Sequence, residues 1–398
     1  MRRTAPRPAE VWRFVAPVFR TRPGGRLARV RTSEDFERLA RRRTPGPVFD
    51  YVAGAAEGER SASRAVQAFD RVVFHPHVLR DVSAVDPSTT VLGRNVAVPV
   101  VLGPTGFTRM MRAEGEPAVA RAAGRAGVPY ALSTLGTTSI ERLAEQAPDT
   151  ERWFQLYVWR DRARSKALIQ AAAAHGYTTL VLTVDVPVAG ARLRDVRAGL
   201  TIPPTLSART LLAMARKPRW LFDTLTTEPL AFESLGASDE LMSLINKVFD
   251  PAVTLADIEW LREQWDGDIV VKGVQRVDDA KDIASAGVDG IAVSNHGGRQ
   301  LDRAVNPLEV LRDIVGTVGD QVEVYLDGGV RSGADVAVAV ALGARAAFVA
   351  RPYLYALMAA GEPGVDHLLQ ILHSDYVRTL QLLGVASTAA LTADLVTL

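Results

Sequence analysis

The sequence of 398 residues contains no cysteine. This absence excludes disulfide bonds, thiolate zinc sites, iron–sulfur ligation and cysteine nucleophiles together. Lysine is also scarce, with five lysines against 42 arginines. The demanding chemistry must therefore come from histidine, carboxylate, tyrosine or lysine side chains, or from a bound cofactor.

Long apolar runs are absent as well. No stretch reaches about 18 uninterrupted apolar residues, so no membrane-spanning helix is expected. With 47% apolar residues, 31 glycines, 22 prolines and no low-complexity tract, the composition is that of an ordinary globular protein. A formal net charge of +2 gives no reason to expect a nucleic-acid partner.

Basic charge is concentrated at the N-terminus, where the first 43 residues hold thirteen arginines against four acidic residues. We predict that residues 1–30 form a basic arm and residues 31–398 form one domain. The arm lacks the apolar core of a secretory signal, which favours a cytoplasmic location. It either packs on a neighbouring subunit or, through Trp12, Phe14 and Phe19, touches the anionic inner face of the membrane.

Eight short runs rich in Val, Leu and Ile recur along the chain, each ending in polar or glycine residues. Such runs are typical of buried parallel strands. They are VPVVLGPT (98–105), YALSTL (130–135), WFQLYV (153–158), TLVLTVD (179–185), DIVVKGV (268–274), GIAVSN (290–295), EVYLDGG (323–329) and AAFVARP (346–352).

Helix-start signals lie between several of these runs. They are Thr138 with Glu141, Asn306 followed by Pro307, and Ser332 with Asp335. Eight strand and helix alternations over about 250 residues predict a closed (β/α)₈ barrel of the TIM type, with an N-terminal helical extension. An open doubly wound sheet is disfavoured because no GxGxxG turn follows the first strand.

One long segment interrupts this rhythm. Some fifty residues, from about Ile202 to Thr254, separate the fourth and fifth runs. Connections of this length are usually lids, binding loops or mobile segments. We predict a flap over the barrel mouth; a segment that touches a membrane is the alternative.

Polar side chains follow nearly every predicted strand, at the end of the barrel where such enzymes place their chemistry. These residues are Thr105, Ser133, Gln155, Tyr157, Thr183, Asp185, Lys272, His296, Arg299, Asp327, Arg331 and Arg351. Two pairs, Gln155 with Tyr157 and Thr183 with Asp185, are spaced two apart, so strand pleating points the members of each pair to one side.

The motif DGGVRSG, residues 327–333, predicts a phosphate site. Its glycine turn and capped helix start would offer backbone N–H groups to an anion, which Arg331 and Arg351 would clamp. The ring of the cofactor would then cross the barrel mouth to Lys272, whose cation would stabilise an electron-rich edge. The side chains of Thr105, Ser133, Gln155 and Thr183 would hydrogen-bond the ring, which favours FMN over a nicotinamide.

The motif SNHGGRQLD, residues 294–302, supplies a histidine and an arginine on a glycine-bearing loop. A neutral His296 could accept a proton while Arg299 holds an anion, and Asp185 could stabilise the imidazolium that forms. No metal site is predicted, because the nearby pair His75 and His77 lacks a third ligand.

With these motifs, the sequence resembles the FMN-dependent L-2-hydroxy-acid oxidase and dehydrogenase family from about residue 30 to the C-terminus. SNHGGRQLD is accompanied by FDYVAGAAEGE, GPTGF, FQLYVWRDR, LTVDVPVAGARLRD, VVKGV and LDGGVRSGADV. The resemblance implies that Tyr51 and Arg299 bind the substrate carboxylate with support from Arg192. It also implies that Tyr157 contacts the substrate hydroxyl while His296 removes a proton.

The resemblance extends the set of FMN-binding residues beyond those named so far. The full predicted set is Pro104, Thr105, Gly106, Ser133, Gln155, Thr183, Lys272, Ser294, Asp327, Gly328, Gly329, Arg331, Ala350 and Arg351. It also implies a homotetramer that oxidises a small 2-hydroxy acid and passes electrons to a quinone or to oxygen.

Three positions depart from the family pattern. Leu135 stands where members with small substrates carry Trp, Gly106 where oxidases often carry Ala, and Ala350 where Gly is common. A roomier pocket at Leu135 predicts a lactate-like or larger substrate. The long segment and basic arm favour a dehydrogenase that uses a quinone. The alternatives are a specialised biosynthetic substrate, such as an aryl or peptide-derived hydroxy acid or amine, and a non-catalytic FMN-binding module.

Overall fold

The computed structural model of the protein describes residues 27–199, 208–230, 232–233 and 250–398. The chain divides into two compact units, residues 1–31 and residues 32–398. In the described part of the first unit, Leu27–Arg29 form a short 3₁₀ helix. Most of the predicted basic arm, with its aromatic residues, lies outside the described residues, so the arm stays a prediction.

Among the described residues, three helices and three short strands precede the barrel, as expected for an N-terminal helical extension. They are α1 (Ser33–Arg43), α2 (Gly46–Ala53), α3 (Arg60–Asp70), β1 (Val73–Phe74), β2 (Thr89–Val91) and β3 (Arg94–Val96). Helix α1 begins at a capping box in which Thr32 Oγ1 accepts a hydrogen bond from the Asp35 N–H. Helix α2 matters most for function, because its C-terminal carbonyl groups reach the site described below.

Eight parallel strands then close into a barrel in chain order, with the last strand paired to the first. They are β4 (Val100–Leu102), β5 (Tyr130–Ser133), β6 (Arg152–Leu156), β7 (Thr179–Thr183), β8 (Asp268–Val274), β9 (Gly290–Ser294), β10 (Glu323–Asp327) and β11 (Ala346–Val349). The predicted (β/α)₈ fold is confirmed, and each of the eight apolar runs overlaps one strand, although β6 begins one residue before its run. Seven runs extend one to three residues past their strand, because those last residues leave the ladder to form the site loops.

The strand register sets side chains of the predicted site next to one another at the C-terminal edge of the barrel. Ser133 lies beside Gln155, Thr183 beside Lys272, and Ser294 beside Asp327. Neighbouring strands in a parallel ladder are only about 5 Å apart. Residues from distant parts of the sequence therefore share one edge.

An aromatic layer fills the lower interior of the barrel. The rings of Trp153, Tyr325 and Phe348 pack edge to face, with centroids 5.8 to 6.1 Å apart. All three side chains are buried, together with small residues of the other strands. Because this aromatic layer fills the lower interior of the barrel, the open space of the barrel lies at its C-terminal end.

Helices surround the barrel and follow its strands. In the described part of the chain they are α4 (Thr108–Met111), α5 (Gly115–Arg125), α6 (Ile140–Gln146), α7 (Arg162–Ala174), α8 (Leu193–Ala198), α9 (Ala208–Ala215), α10 (Pro218–Leu225), α11 (Ala256–Gln264), α12 (Val277–Ser285), α13 (Pro307–Val318), α14 (Gly333–Ala341), α15 (Arg351–Ala360) and α16 (Glu362–Leu383). A final strand, β12 (Val396–Thr397), pairs with β1. None of the described helices is both long and apolar enough to span a membrane.

Two of the three predicted helix starts are confirmed. Asn306 caps α13, and Ser332 forms a capping box with Asp335 at α14. The prediction for Thr138 is wrong by one residue, because Ser139 caps α6. The hydroxyl of Thr138 instead donates to the buried carboxylate of Glu116, 3.0 Å away.

The described part of the long segment between β7 and β8 packs against the loops that follow β4 and β5. Trp220 Nε1 donates to the Met110 carbonyl at 3.1 Å, and the Phe232 ring lies 4.3 Å from the Phe107 ring. Glu233 accepts a hydrogen bond from the Ser139 N–H at 3.0 Å. These contacts tie the described part of the segment to the helices and loops after β4 and β5, and the flap over the barrel mouth stays a prediction. Residues 200–207, 231 and 234–249 of the predicted flap lie outside the described residues.

Candidate active site

A cavity of about 400 Å³ opens at the C-terminal end of the barrel. Its volume suits a small organic ligand. Nearly all of the predicted site residues line it, and they are Tyr51, Pro104, Thr105, Gly106, Ser133, Leu135, Gln155, Tyr157, Thr183, Arg192, Lys272, His296, Arg299, Asp327, Gly328, Gly329, Arg331, Ala350 and Arg351. The two that do not are Asp185 and Ser294, which lie behind the wall.

His296 lies on a short 3₁₀ turn after β9 and has a left-handed backbone with φ of 57°. A histidine adopts this conformation rarely, so the loop holds it there at some cost. Its Nδ1–H donates to Asp185 Oδ1 at 3.0 Å. In a neutral imidazole this hydrogen bond selects the tautomer whose Nε2 can accept a proton.

Asp185 is buried behind the histidine. Burial alone would raise the pKa of the Asp185 carboxyl, but His296 and Lys272 outweigh burial and lower this pKa. The residue is therefore an anion at neutral pH and can stabilise an imidazolium. Gly273, with φ of 114°, lets the carboxyl approach, because a Cβ there would lie 2.7 Å from the Asp185 Cβ. The quoted motif VVKGV contains this glycine, but its purpose is visible only in three dimensions.

Lys272 forms a buried ion pair inside the protein. Its Nζ lies 2.6 Å from Asp327 Oδ2 and donates to Ser294 Oγ at 3.1 Å. Burial favours a lower pKa for Lys272, but Asp327 and Asp185 raise it, so the side chain stays cationic. Ser294 was predicted to bind the cofactor. Instead its hydroxyl donates to Asp327 at 2.7 Å and accepts from the His296 N–H at 3.0 Å, which fixes the two neighbours.

Two arginines bind the C-terminal end of α2. Arg299 Nη1 donates to the carbonyls of Tyr51 and Gly54 at 2.7 and 2.9 Å, and its guanidinium lies 4.9 Å from the Tyr51 ring centre. Arg351 donates to the carbonyls of Val52, Gly54 and the His296 loop at 2.9 to 3.0 Å. The last carbonyls of a helix lack intrahelical partners and attract cations. The sequence predicted that these arginines lie at the cavity. It did not predict their hydrogen bonds to the carbonyls at the end of α2.

The Arg299 guanidinium carries a charge that its surroundings compensate poorly. Burial, together with Arg192 and Arg351, lowers the pKa of Arg299 to about 9. Its hydrogen-bond partners are neutral carbonyls, and the buried Arg192 Nε has no hydrogen-bond partner among the described residues. Two such guanidinium groups in one cavity wall form a strong site for a carboxylate.

The phosphate prediction needs one correction. At the start of α14, the N–H groups of Arg331 and Ser332 donate to Asp335, and those of Gly333 and Ala334 donate to Asp375. Two carboxylates of the protein thus already occupy this helix terminus.

The remaining phosphate donors lie around the terminus of α14. They are the glycine turn of Gly328 and Gly329, the Arg331 side chain, and the start of α15 at Ala350, which has no side-chain cap. Arg351 has committed three of its five N–H groups to carbonyls, which leaves two for an anion. A phosphate at this position would contact the side chains of Arg331 and Arg351 and the start of α15. It would not bind the start of α14.

Besides Arg192 Nε and Asp195 Oδ1, two buried polar atoms of the cavity wall have no hydrogen-bond partner among the described residues. They are Gln155 Nε2 and Thr183 Oγ1. Gln155 Oε1 accepts from Ser133 Oγ at 3.0 Å and from the Thr134 N–H at 3.2 Å, which fixes the direction of its amide. Buried donors without partners are costly, so a ligand that bears carbonyl or ring nitrogen acceptors would fit here. The polar rim of a flavin ring meets this requirement.

Two predicted ring contacts are already used within the protein. Tyr353 OH donates to the Gly103 carbonyl at 2.8 Å, so the Thr105 hydroxyl, 2.6 Å from Tyr353, donates to that tyrosine. The Ser133 hydroxyl donates to Gln155. Both side chains therefore orient neighbours and have only acceptor capacity left for a ligand.

The departures at positions 106 and 135 are coupled in space. A Cβ added at Gly106 would lie 3.1 Å from both the Cβ and the carbonyl oxygen of Leu135. Leu135 packs against the cluster of Tyr157, Trp159 and Val186. A larger residue at position 106 would therefore push on Leu135, so the two positions shape the same part of the cavity.

The sequence did not single out several residues of the cavity wall. Phe107, with φ of 59°, has its ring 5.9 Å from that of Tyr51. Gly190 permits close packing, because a Cβ there would lie 2.3 Å from the Arg299 carbonyl. Asp195 on α8 is also part of the wall. The motif AGARLRD contains the glycine and the aspartate, but no spacing rule marks either of them.

The chain matches the family described as FMN-dependent dehydrogenase over residues 40–398. It is 50% identical to a protein of Mycobacterium tuberculosis over 378 residues, and the matched region covers 95% of this chain and 91% of that protein. The L-lactate dehydrogenase of Caulobacter vibrioides is 42% identical over 370 residues, 91% of this chain and 96% of that enzyme. The crystal structure of the monotopic membrane protein (S)-mandelate dehydrogenase superposes with a TM-score of 0.89 at 38% identity, covering 93% of this chain and 99% of that one.

Proposed function

Because the chain belongs to the FMN-dependent dehydrogenase family, we propose that it oxidises an L-2-hydroxy acid to the 2-keto acid and passes the electrons to a quinone. One observation carries the proposal. His296, backed by Asp185, and Arg299 line the same cavity. A proton acceptor beside a carboxylate site is what the oxidation of a 2-hydroxy acid requires.

The protein is an FMN-dependent oxidoreductase. FMN, when bound, accepts the two electrons that leave the substrate. Gln155 Nε2, Thr183 Oγ1 and the cation of Lys272 would hold the ring, while Arg331, the glycine turn and the start of α15 would hold the phosphate.

The substrate would be oriented at both ends. Arg299 and Arg192 would bind the carboxylate as charge-assisted donors, and the Tyr51 ring lies beside Arg299. Burial and the neighbouring Asp185 raise the pKa of Tyr157, so its hydroxyl stays protonated and can donate to the substrate oxygen. These contacts would place the reacting carbon near His296.

Proton removal would fall to His296 Nε2. The Nδ1 side of the ring already donates to the Asp185 carboxylate, which would stabilise the imidazolium. The first proton to leave the substrate comes either from the α-carbon or from the hydroxyl, and the same imidazole serves both routes.

An anaerobic titration of the holoenzyme with a panel of L-2-hydroxy acids tests the proposal. We expect lactate, mandelate or a longer 2-hydroxy acid to bleach the flavin absorbance, with larger side chains accepted because Leu135 and Gly106 leave room. If no member of the panel bleaches a flavin that dithionite does reduce, the proposed reaction is wrong. The same result would favour the specialised biosynthetic substrate, which an enlarged pocket also suits.

The choice of electron acceptor gives a separate prediction. The L-lactate dehydrogenase and the (S)-mandelate dehydrogenase to which the chain is similar are both dehydrogenases, so substrate-reduced enzyme should be reoxidised slowly by air and rapidly by a soluble quinone analogue. Stopped-flow absorbance of the flavin under both conditions measures the two rates. Rapid, stoichiometric formation of hydrogen peroxide would identify an oxidase and contradict this part of the proposal.

We also propose that helices α9 and α10 rest on the inner face of a membrane. Leu212, Phe222 and Leu225 are 54%, 66% and 74% exposed. The exposed Arg216 and Arg219 lie in the same stretch, a combination that favours an anionic lipid surface. The similar (S)-mandelate dehydrogenase is described as a monotopic membrane protein.

Vesicle co-sedimentation tests the proposed membrane contact. The double change of Phe222→Ser and Leu225→Ser should weaken binding to anionic vesicles by about tenfold or more per side chain, because burying a Phe or Leu side chain contributes roughly 1.5–3 kcal/mol. Leu382→Ser is the matched control, since Leu382 is 71% exposed but lies on α16, outside the two helices of the proposed contact. Equal binding of the double variant and the wild type would place the contact elsewhere.

The homotetramer, likewise a prediction, is tested by light scattering.

A further inference from the structure

Asp195 is a buried carboxylate in the cavity wall to which the proposed reaction gives no role. It lies on α8 and is only 9% exposed. Its Oδ1 has no hydrogen-bond partner within the described part of the chain. A buried carboxylate oxygen without a donor is costly, so its position beside the cavity calls for a functional explanation.

The charges of four groups act on Asp195. Arg192 and Arg194 come from its own segment, Arg299 from the loop after β9, and Asp50 from α2. These groups determine whether Asp195 carries a charge. Burial raises the pKa of Asp195, and Asp50 adds to this effect, while the three arginines oppose it; the net direction is upward.

Arg194 is already neutralised by other carboxylates. Its guanidinium forms an ion pair with Glu59 and lies 3.8 Å from an Asp50 oxygen. Arg192 and Arg299 have no such partner in the described ion pairs of the cavity wall. The charge of Asp195 therefore acts mainly on these two guanidinium groups, and it raises the pKa of Arg299 against the effect of burial.

We propose that Asp195 is a positioning residue that competes with the substrate carboxylate for Arg192 and Arg299, an inference that rests on the proposed function. The competition couples the binding of substrate to the uptake of one proton by Asp195. Before a carboxylate binds, the charge of Asp195 offsets the two cations in part. When a substrate carboxylate binds, it and Asp195 share the two guanidinium groups. Asp195 then takes up a proton, which removes the repulsion between the two anions.

The sign of the pH effect follows from this competition. A bound carboxylate neutralises the arginines that hold the pKa of Asp195 down, so the pKa is higher in the complex than in the free enzyme. Between these two values the complex holds a proton that the free enzyme lacks. Within that window the affinity for a carboxylate falls as the pH rises, by at most tenfold per pH unit for one proton.

The experiment measures the binding of pyruvate, a 2-keto acid of constant charge above about pH 5, to the oxidised holoenzyme. Titration calorimetry at several pH values, in two buffers of different ionisation enthalpy, gives both the affinity and the number of protons taken up. For the wild type we expect an affinity that falls with pH and a fractional proton uptake. For Asp195→Asn we expect binding at the upper end of the range to be about tenfold tighter, because a like charge is removed, and no proton uptake.

Asp313→Asn is the matched control, since it removes one carboxylate charge at an exposed position of α13, and Asp313 neither lines the cavity nor acts on Asp195. It should retain the pH slope of the wild type. If Asp195→Asn lowers the FMN content, Asp195→Ser is measured in its place with the same readouts. Weaker binding with an unchanged slope, equal slopes in variant and wild type, or no pyruvate binding to the wild type would each overturn the inference.

These readouts are independent of turnover. Failure of the proposed function would appear as a flavin that no 2-hydroxy acid bleaches. Failure of the inference about Asp195 would appear in the affinity and proton uptake for an unreacting anion. The two results can therefore be told apart in the same preparation.

Discussion

Replacement of His296 by glutamine should leave the protein yellow but lower the rate of flavin reduction by about two to four orders of magnitude. Glutamine can accept the hydrogen bond of a substrate hydroxyl, but it cannot take up a proton. The variant also cannot form the charged pair that Asp185 stabilises across the present 3.0 Å contact. Anaerobic stopped-flow absorbance measures the loss directly.

A change at a distant histidine separates this effect from general damage. His175 lies at the end of α7, where its Nδ1 contacts the Ala171 carbonyl, and it does not line the cavity. His175→Gln should therefore reduce its flavin at the rate of the wild type. Near-normal flavin reduction by His296→Gln would rule out the imidazole as the base.

Replacement of Arg299 by methionine should reduce kcat/KM by about thirtyfold to several thousandfold, the effect of 2–5 kcal/mol for a buried charged partner. Methionine fills similar space but cannot bind a carboxylate. The wild-type guanidinium is anchored by two carbonyls through Nη1, so its other N–H groups face the cavity in a fixed direction. Arg299→Lys should recover little, because an ammonium cannot offer two parallel donors.

Thermal unfolding with and without pyruvate provides a second readout for Arg299. An anion that binds the folded state raises Tm by mass action, so pyruvate should stabilise the wild type and not Arg299→Met. Arg312→Met, at an exposed position of α13, is the control and should behave as the wild type. A variant at Arg299 that keeps both its kcat/KM and its response to pyruvate would show that the carboxylate binds elsewhere.

The coupling of Gly106 and Leu135 has consequences for engineering the pocket. The added Cβ of Gly106→Ala would sit 3.1 Å from Leu135, and Leu135 itself packs on the Tyr157 cluster. A change meant to alter the reaction with oxygen would therefore also move the side chain that bounds the substrate. The two properties should be varied together rather than one at a time.

The eight strands could be predicted because buried parallel strands carry an apolar signal in a few consecutive residues. The helix starts at Asn306 and Ser332 could be predicted for a similar reason, since a cap is decided by residues two or three positions apart. Thr138 was assigned wrongly because two hydroxyl residues stand side by side, and only the buried Glu116 decides which of them caps the helix.

The roles of Ser294, Thr105 and the α14 terminus could not be predicted in this way. Each was expected to bind a ligand, and each also makes hydrogen bonds within the protein, with Asp327, with Tyr353 and with the two carboxylates that cap the helix. A polar residue at a strand end can turn toward the cavity or toward its neighbours. The choice depends on which other donors and acceptors the fold brings within about 3 Å.

The barrel, the cofactor class and the polar residues at the strand ends could be inferred from the residues alone, because periodicity and motif chemistry are local properties. The role of each of these residues depends on its neighbours in the folded protein. The fold anchors Arg299 and Arg351 on the end of α2, pairs Lys272 with Asp327, and brings Asp195 to the arginines of the cavity. Charge interactions act over a few ångströms in space, and the sequence does not record those distances.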